Sequence, residues 1–375
     1  MMMRRVMGIG LAVAVFGATM TPCRAKEASW DETVDKAIAY LRKQQAADGS
    51  WGAKQSPGIT GVVLTGLLTS GRVDAKDPMV EKGLKYIESL INPKDGHIAG
   101  KGARVQLQNY VTSVNVLALV AAERPSYRAV VKDAAAFLRK LQWDEEEGKD
   151  PTNDYYGGAG YDSKSRPDLS NTQIFLDALV AAGISKDDPA LKKAAVFVSR
   201  CQNLKGEHND QPWAGKINDG SFIYTPAQGG DTKVSDKPGP NGERPGYGSM
   251  TYAGIKSLIY CGVSKDDERL KKAIAWVRTN YSVEQNPGMP EQRAAWGLYY
   301  YYHTMAKCLD VLGEDRVIDG KGVKHDWRAE ITAALAKRQR PDGSWLNETD
   351  RWMEGNPLLV TGYALMTLSH TKPKK

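Results

Sequence analysis

Residues 36–51 read Lys36-Ala37-Ile38-Ala39-Tyr40-Leu41-Arg42-Lys43-Gln44-Gln45-Ala46-Ala47-Asp48-Gly49-Ser50-Trp51. This is a helical phrase followed at fixed offsets by a glutamine, a glycine and a tryptophan. Its first six positions recur as Lys82-Gly83-Leu84-Lys85-Tyr86-Ile87, Asp133-Ala134-Ala135-Ala136-Phe137-Leu138, Lys193-Ala194-Ala195-Val196-Phe197-Val198 and Lys272-Ala273-Ile274-Ala275-Trp276-Val277. A degenerate sixth copy is Glu330-Ile331-Thr332-Ala333-Ala334-Leu335. Internal repetition at this period predicts six copies of one structural unit.

Each copy sits in an amphipathic pattern with Lys and Arg on one side, as expected of a solvent-facing outer helix. A second set of segments is apolar nearly all round and rich in small residues, which demands burial on most sides. These inner helices are expected to begin at Ile59-Thr60, Val111-Thr112, Asn171-Thr172, Met250-Thr251, His303-Thr304 and Val360-Thr361. The widest threonine intervals, Thr112 to Thr172 and Thr172 to Thr251, put the insertions in units three and four. Inner-to-outer turns are short, with Asp77-Pro78, Asp188-Pro189 and Asp266-Asp267 supplying N-cap carboxylates and, twice, a proline at the first helical position. Outer-to-inner connections are long, so residues 144–168 and 205–248 must lie at one end. The expected fold is all-α: six helical hairpins closed into an α/α toroid (α6-α6 barrel), its mouth roofed by the loops of repeats three and four. An open α-solenoid is the alternative.

The chain has 375 residues, 51 basic and 44 acidic side chains and a formal charge of +7. Met1-Met2-Met3-Arg4-Arg5, an apolar stretch from Val6 to about Met20, and Cys23-Arg24-Ala25 read as a secretory signal peptide, residues 1–25, ahead of one toroid domain, 26–372. The apolar stretch is shorter than the roughly 20 residues a spanning helix needs, so no transmembrane anchor is expected, and export to the periplasm or beyond is. Cleavage removes three arginines and no acid, leaving +4 and little reason to expect nucleic acid. Cys201, Cys261 and Cys308 remain, too few and too widely spaced for a metal knuckle; one disulfide plus a free thiol is an open possibility.

Gln45, Gly49 and Trp51 of unit one match Gln339, Gly343 and Trp345 of unit six, and Gln142 and Gln202 hold the equivalent place after Leu138 and Val198. This resembles the Gln-Trp repeat of squalene-hopene and oxidosqualene cyclases and, more broadly, the terpenoid cyclase/protein prenyltransferase toroid superfamily, over about residues 30–370. In physical terms the glutamine amide can satisfy backbone groups at the end of its outer helix, while the tryptophan stacks over the loop and ties neighbouring units. Such a motif speaks for the fold and little for chemistry. The resemblance implies a cyclase-like or transferase activity on an isoprenoid, yet the Asp-x-Asp-Asp acid motif of class II cyclases is absent. Tyr302-His303-Thr304 resembles the third zinc ligand of prenyltransferase β subunits, but no Asp-x-Cys stands on an inner helix, so no metal and no cofactor is expected.

Polar and aromatic residues gather where the inner helices open to the mouth. His303, able to act as base or ligand, Asp168, and Glu354 beside Trp352 are the catalytic candidates; Arg166, Asn171, Tyr161, Tyr247, Thr251, Tyr302 and Trp352 are the candidates for binding substrate. Structural readings stand beside these: Ser170, Asn171 and Thr172 can cap their helix, and Asp168 can pair with Arg166. Six helix N-termini converging on an aromatic wall suit an amphiphile such as an isoprenoid lipid. A glycan acted on by an exported polysaccharide lyase or glycosidase is the second expectation, and a non-catalytic scaffold the third. A monomer is expected.

Overall fold

Local signals set the helix boundaries. Ser29 and Glu32 form a capping box, each side chain bonded to the other's backbone N–H, and Asp77, Asp188 and Asp267 accept from the N–H groups of Met79, Ala190 and Arg269 at the starts of their helices. The computed structural model describes residues 29–101, 105 and 107–373; the expected signal segment lies outside the described residues. Outer and inner helices alternate: α1 (Trp30–Gln44), α2 (Gly58–Thr69), α3 (Pro78–Ser89), α4 (Gln108–Ala121), α5 (Arg128–Arg139), α6 (Leu169–Ala181) and α7 (Pro189–Arg200). After a short helix α8 (Ala214–Ile217) in a long loop come α9 (Gly248–Tyr260), α10 (Glu268–Thr279), α11 (Leu298–Leu312), α12 (Trp327–Arg338) and α13 (Pro357–His370). Helices α2, α4, α6, α9, α11 and α13 pack each on the next, and α13 packs back on α2, so the inner ring is closed. Among the described residues no helix is long and apolar enough to cross a membrane.

The repeated glutamine joins one unit to the next. Gln45 Nε2 donates to Gly49 O at 3.0 Å and to Met79 O, in the first turn of α3, at 2.8 Å. Gln142 bridges Gly157 O and Ala190 O, and Gln202 bridges Gly220 O and Arg269 O. Gln339 bridges Gly343 O and Thr33 O, carrying unit six back to unit one. The helix-end role expected of the glutamine falls instead to the tryptophan: Trp51 Nε1 donates to Leu41 O and Trp345 Nε1 to Leu335 O, each at 2.8 Å. Trp51 also packs on the neighbouring unit, at Gly83 of α3.

The motif glycine is required twice over. Gly343 has φ +92°, and a Cβ there would lie 2.3 Å from Lys36 O; Gly49 stands in the same way against Lys82 O. Lys36 and Lys82 are the first residues of the recurring six-residue phrase, so the phrase begins where the preceding unit docks.

Threonine hydroxyls fix the inner helices to the loops. Thr60, Thr112, Thr172, Thr251 and Thr361 accept from the N–H groups of Trp51, Ile98, Ala159, Phe222 and Trp345 respectively. Unit five departs from the expectation. Its inner helix begins at Leu298, upstream of His303, and Thr304 bonds within its own helix to Tyr301 O. The clamp is supplied by Tyr301 and Tyr302, whose hydroxyls donate to Ser282 O and Val283 O.

Gly343→Ala tests the dock against Gly183→Ala, because Gly183 shares the positive φ (+82°) but has nothing within 4 Å of its would-be Cβ. Denaturant unfolding should show about 1 kcal/mol lost at Gly183, from the left-handed backbone alone, and about 2–4 kcal/mol at Gly343, where overpacking is added. Equal losses would show that the close approach carries no energy.

Candidate functional site

The starts of all six inner helices contribute to one cavity of about 310 Å³. Its wall holds six tyrosines, Tyr110, Tyr161, Tyr224, Tyr247, Tyr300 and Tyr363, with Ile59, Met250 and Leu359 from the helices and Leu107, Trp352 and Met353 from the loops. The polar groups on it are few: Ser56, Ser170, Asn171, Ser249 and Glu354. Loops of units two and six therefore join those of units three and four around the mouth. Trp352 and Met353 hold successive left-handed conformations, φ +57° and +64°, and Trp352 lies over Gly297, the residue that precedes α11. Non-glycine residues in that region store backbone strain, here in the segment that turns Trp352 and Met353 to the cavity.

Glu354 is the carboxyl group on the wall. Its oxygens accept from Tyr300 N at 2.8 Å, Tyr299 N at 3.3 Å and Asn347 Nδ2 at 2.5 Å. It thereby caps the first turn of α11, whose own N-cap position is Gly297 with no side chain to offer. Burial pushes its pKa up to about 7, against the pull of those N–H donors. Asp168 lies one layer behind the wall as the N-cap of α6, accepting from Asn171 N at 2.8 Å and Asn171 Nδ2 at 2.7 Å. Burial raises it to about 6.

Of the residues singled out in the sequence, Tyr161, Asn171, Tyr247, Trp352 and Glu354 stand on the cavity wall. Four others do not. Arg166 pairs with Asp231 at 2.9 Å, Thr251 is a buried loop clamp, and Tyr302 points to Val283 O between helices. His303 is buried deeper in the barrel, its ring stacked on Tyr363 at 6.1 Å between centroids, and neither ring nitrogen makes a hydrogen bond. Burial, with Lys307 and Lys256 near it, holds its pKa well below the usual histidine value, so the ring is neutral. Among the described residues no cluster of three or more His, Cys, Asp or Glu is arranged to hold a metal ion. Cys201, Cys261 and Cys308 are all free, and burial raises each thiol pKa.

Sequence reasoning did not anticipate a buried ionic group near the same helices. Lys256 of α9, with no exposed side-chain surface, bonds Asp177 Oδ2 and Gln173 Oε1, both on α6. Lys307 of α11 meets the other Asp177 oxygen at 2.9 Å. Asp177 is held down at about 2 by the two lysines against burial, and burial lowers Lys256 to about 8. A signal was present: Lys256 and Asp177 interrupt helices otherwise apolar all round, and a charge there has no partner but another inner helix.

Residues 54–225 match the family model of the squalene-hopene cyclase C-terminal domain. The type II terpene cyclase MstE from Scytonema superposes with TM-score 0.54 at 12% identity, over 91% of this chain and 97% of that one. A glycosidase, as its E178A variant, superposes with TM-score 0.54 at 13% identity over 91% and 96% of the two chains. A possible member of the GH105 family from Salmonella enterica gives 0.52 at 11% over 96% and 98%. No curated protein matches the chain. The fold is an α/α toroid. The Gln-Trp pattern and the matched residues 54–225 both resemble the squalene-hopene cyclases, while the same fold is shared with the glycosidase and the possible GH105 member.

Two titrations follow, with opposite signs. Asp177 is depressed below its ordinary 3.8, so its stabilisation is full above that pH and is lost as pH falls through about 2. Asp177→Asn should strand two buried cations and cost about 3–5 kcal/mol in thermal unfolding at neutral pH. Glu354 is raised above its ordinary 4.5, so its contribution is present below 4.5 and is lost as pH rises through about 7. Wild-type stability should therefore fall relative to Glu354→Gln across that window; a flat difference would place the Glu354 carboxyl at an ordinary pKa.

Proposed function

We propose that this protein takes an isoprenoid or comparable apolar amphiphile into the mouth cavity and exchanges a proton with it through Glu354. The observation that carries this is the wall: six tyrosines and a mostly apolar lining around one buried carboxyl group poised near neutrality. A cavity of about 310 Å³ lies at the small end of the range for organic ligands. A carboxyl group near pKa 7 is a weaker acid than usual, so it suits proton transfer to or from oxygen or an activated carbon rather than protonation of an isolated alkene. Asp168 tunes the wall through Asn171 rather than meeting the ligand. The N-terminal Arg4-Arg5, apolar and Cys23-Arg24-Ala25 succession supports export, and the ligand would then be met outside the cytoplasm.

Purified protein, extracted under native conditions and analysed by mass spectrometry after exposure to C15–C20 prenyl alcohols and ketones, should retain at least one of them. Where turnover is found, Glu354→Gln should lower it by about 10²-fold or more, and the wild-type pH profile should have a limb near 7. Retention of oligosaccharides in place of every prenyl compound would overturn the lipid reading in favour of a glycan.

A further inference from the structure

The ionic group sits directly behind one polar spot on the cavity wall. Lys256 Nζ has only hydrogens to offer, so the group facing it on Gln173 must be the amide oxygen. That fixes the amide: its Nε2 end is turned to the Tyr300 hydroxyl at 3.0 Å and donates to it. Tyr300 is also 2.9 Å from Ser170 Oγ, and both Tyr300 and Ser170 stand on the wall.

Counting hydrogens gives the consequence. The two hydroxyls have two hydrogens and share one bond, and the amide end beside them accepts nothing. Whichever hydroxyl donates within the pair, one O–H remains, and the cavity lies before it. We propose that Lys256 and Gln173 are positioning residues that make the Tyr300–Ser170 pair a fixed hydrogen-bond donor for a ligand oxygen that can only accept, such as a carbonyl or ether. Asp177 and Lys307 complete the device: Asp177 meets Lys256 with one carboxylate oxygen and Lys307 with the other, so Lys256 is held against the amide rather than swinging to solvent. The ligand's oxygenated end therefore lies toward α6 and α11, with its hydrocarbon toward Ile59, Leu107 and Leu359.

This inference rests on the cavity taking an apolar ligand, and the test separates the two. Binding of farnesylacetone is compared with that of its analogue in which CH₂ replaces the ketone carbonyl. Wild type should prefer the ketone by about fivefold, the worth of one net hydrogen bond. In Gln173→Glu the carboxylate takes the tyrosine hydrogen and the Ser170 hydrogen is drawn to the Tyr300 oxygen, so none is left for the cavity, and the preference should vanish while the hydrocarbon binds as before. That variant adds a negative charge beside Lys256 and takes the group of two lysines and one aspartate from +1 to zero. Lys256→Met leaves Asp177 paired with Lys307, frees the amide to turn over, and should reduce the preference. An undiminished ketone preference in both variants overturns the proposal. If neither compound binds wild type, the lipid reading fails, and the donor is read without ligand. With [¹³Cζ]tyrosine labelling and Tyr300→Phe for assignment, the Tyr300 Cζ resonance should move in both Gln173→Glu and Lys256→Met. An unmoved resonance overturns the proposal regardless of what binds.

Discussion

A closed ring of twelve helices requires each unit to meet the next at one fixed angle, because errors would accumulate around the circle and leave a gap. The angle here is fixed by a backbone-to-backbone approach at the motif glycine, Gly49 on Lys82 and Gly343 on Lys36, with a glutamine amide tying both backbones together. No side chain intervenes at that point, so the spacing is set by the peptide itself and does not drift with sequence. This explains why the phrase could degenerate in unit six while the Gln and Gly did not. It also explains how units three and four absorb long insertions. Gln142 still reaches Gly157 and Gln202 still reaches Gly220, so in unit three the extra chain leaves and returns mostly within one dock, while in unit four a second excursion, residues 221–247, follows Gly220 and brings Tyr224 and Tyr247 to the mouth.

The mouth inherits its shape from the second constraint, the hydroxyl clamps. Each holds the first turn of an inner helix against the loop that precedes it, so the six helix starts arrive at a common level and wall a single cavity. Unit five reaches the same level with two tyrosines in place of a threonine. The longer reach of a phenol lets α11 begin earlier, at Leu298, and that shift turns Tyr300 to the cavity while carrying His303 below it.

The same shift marks where the sequence was legible and where it was not. Repeats, outer and inner helices, caps and ring closure follow from periodicity and from offsets that do not depend on distant contacts. Position along an inner helix is harder, because those helices are apolar on every side and give no face from which to read direction. Reading His303-Thr304 as the start of the fifth inner helix placed His303 at the mouth; the helix begins at Leu298, and its clamp is not a threonine. Tyr161, Asn171, Tyr247, Trp352 and Glu354 were visible because loop and helix-start residues at a known end of the barrel have few other places to go. Tyr110, Tyr224 and Tyr363 come from three different units, and only the closed ring brings them together.

An ion pair buried in such a barrel is seldom there for stability alone, since apolar residues of similar volume would commonly serve as well. Lys256 and Asp177 have no exposed surface, and every inner helix around them could be packed with leucine and valine as α2 is. What the ions supply and leucine cannot is direction. A charge with hydrogens on every side orients an amide, the amide donates to a phenol, and the phenol stands on the cavity wall. Glu354 works in the complementary sense from the other side of α11, taking the N–H groups of its first turn and presenting the remaining edge of a carboxyl group to the same space. The Tyr300–Ser170 pair and a titrating group near pKa 7 thus stand side by side on one wall. On the proposed reading the wall holds the polar end of an otherwise hydrocarbon ligand, whereas protonation along the hydrocarbon chain would need a strong acid, and the Glu354 carboxyl, raised to about 7, is a weak one.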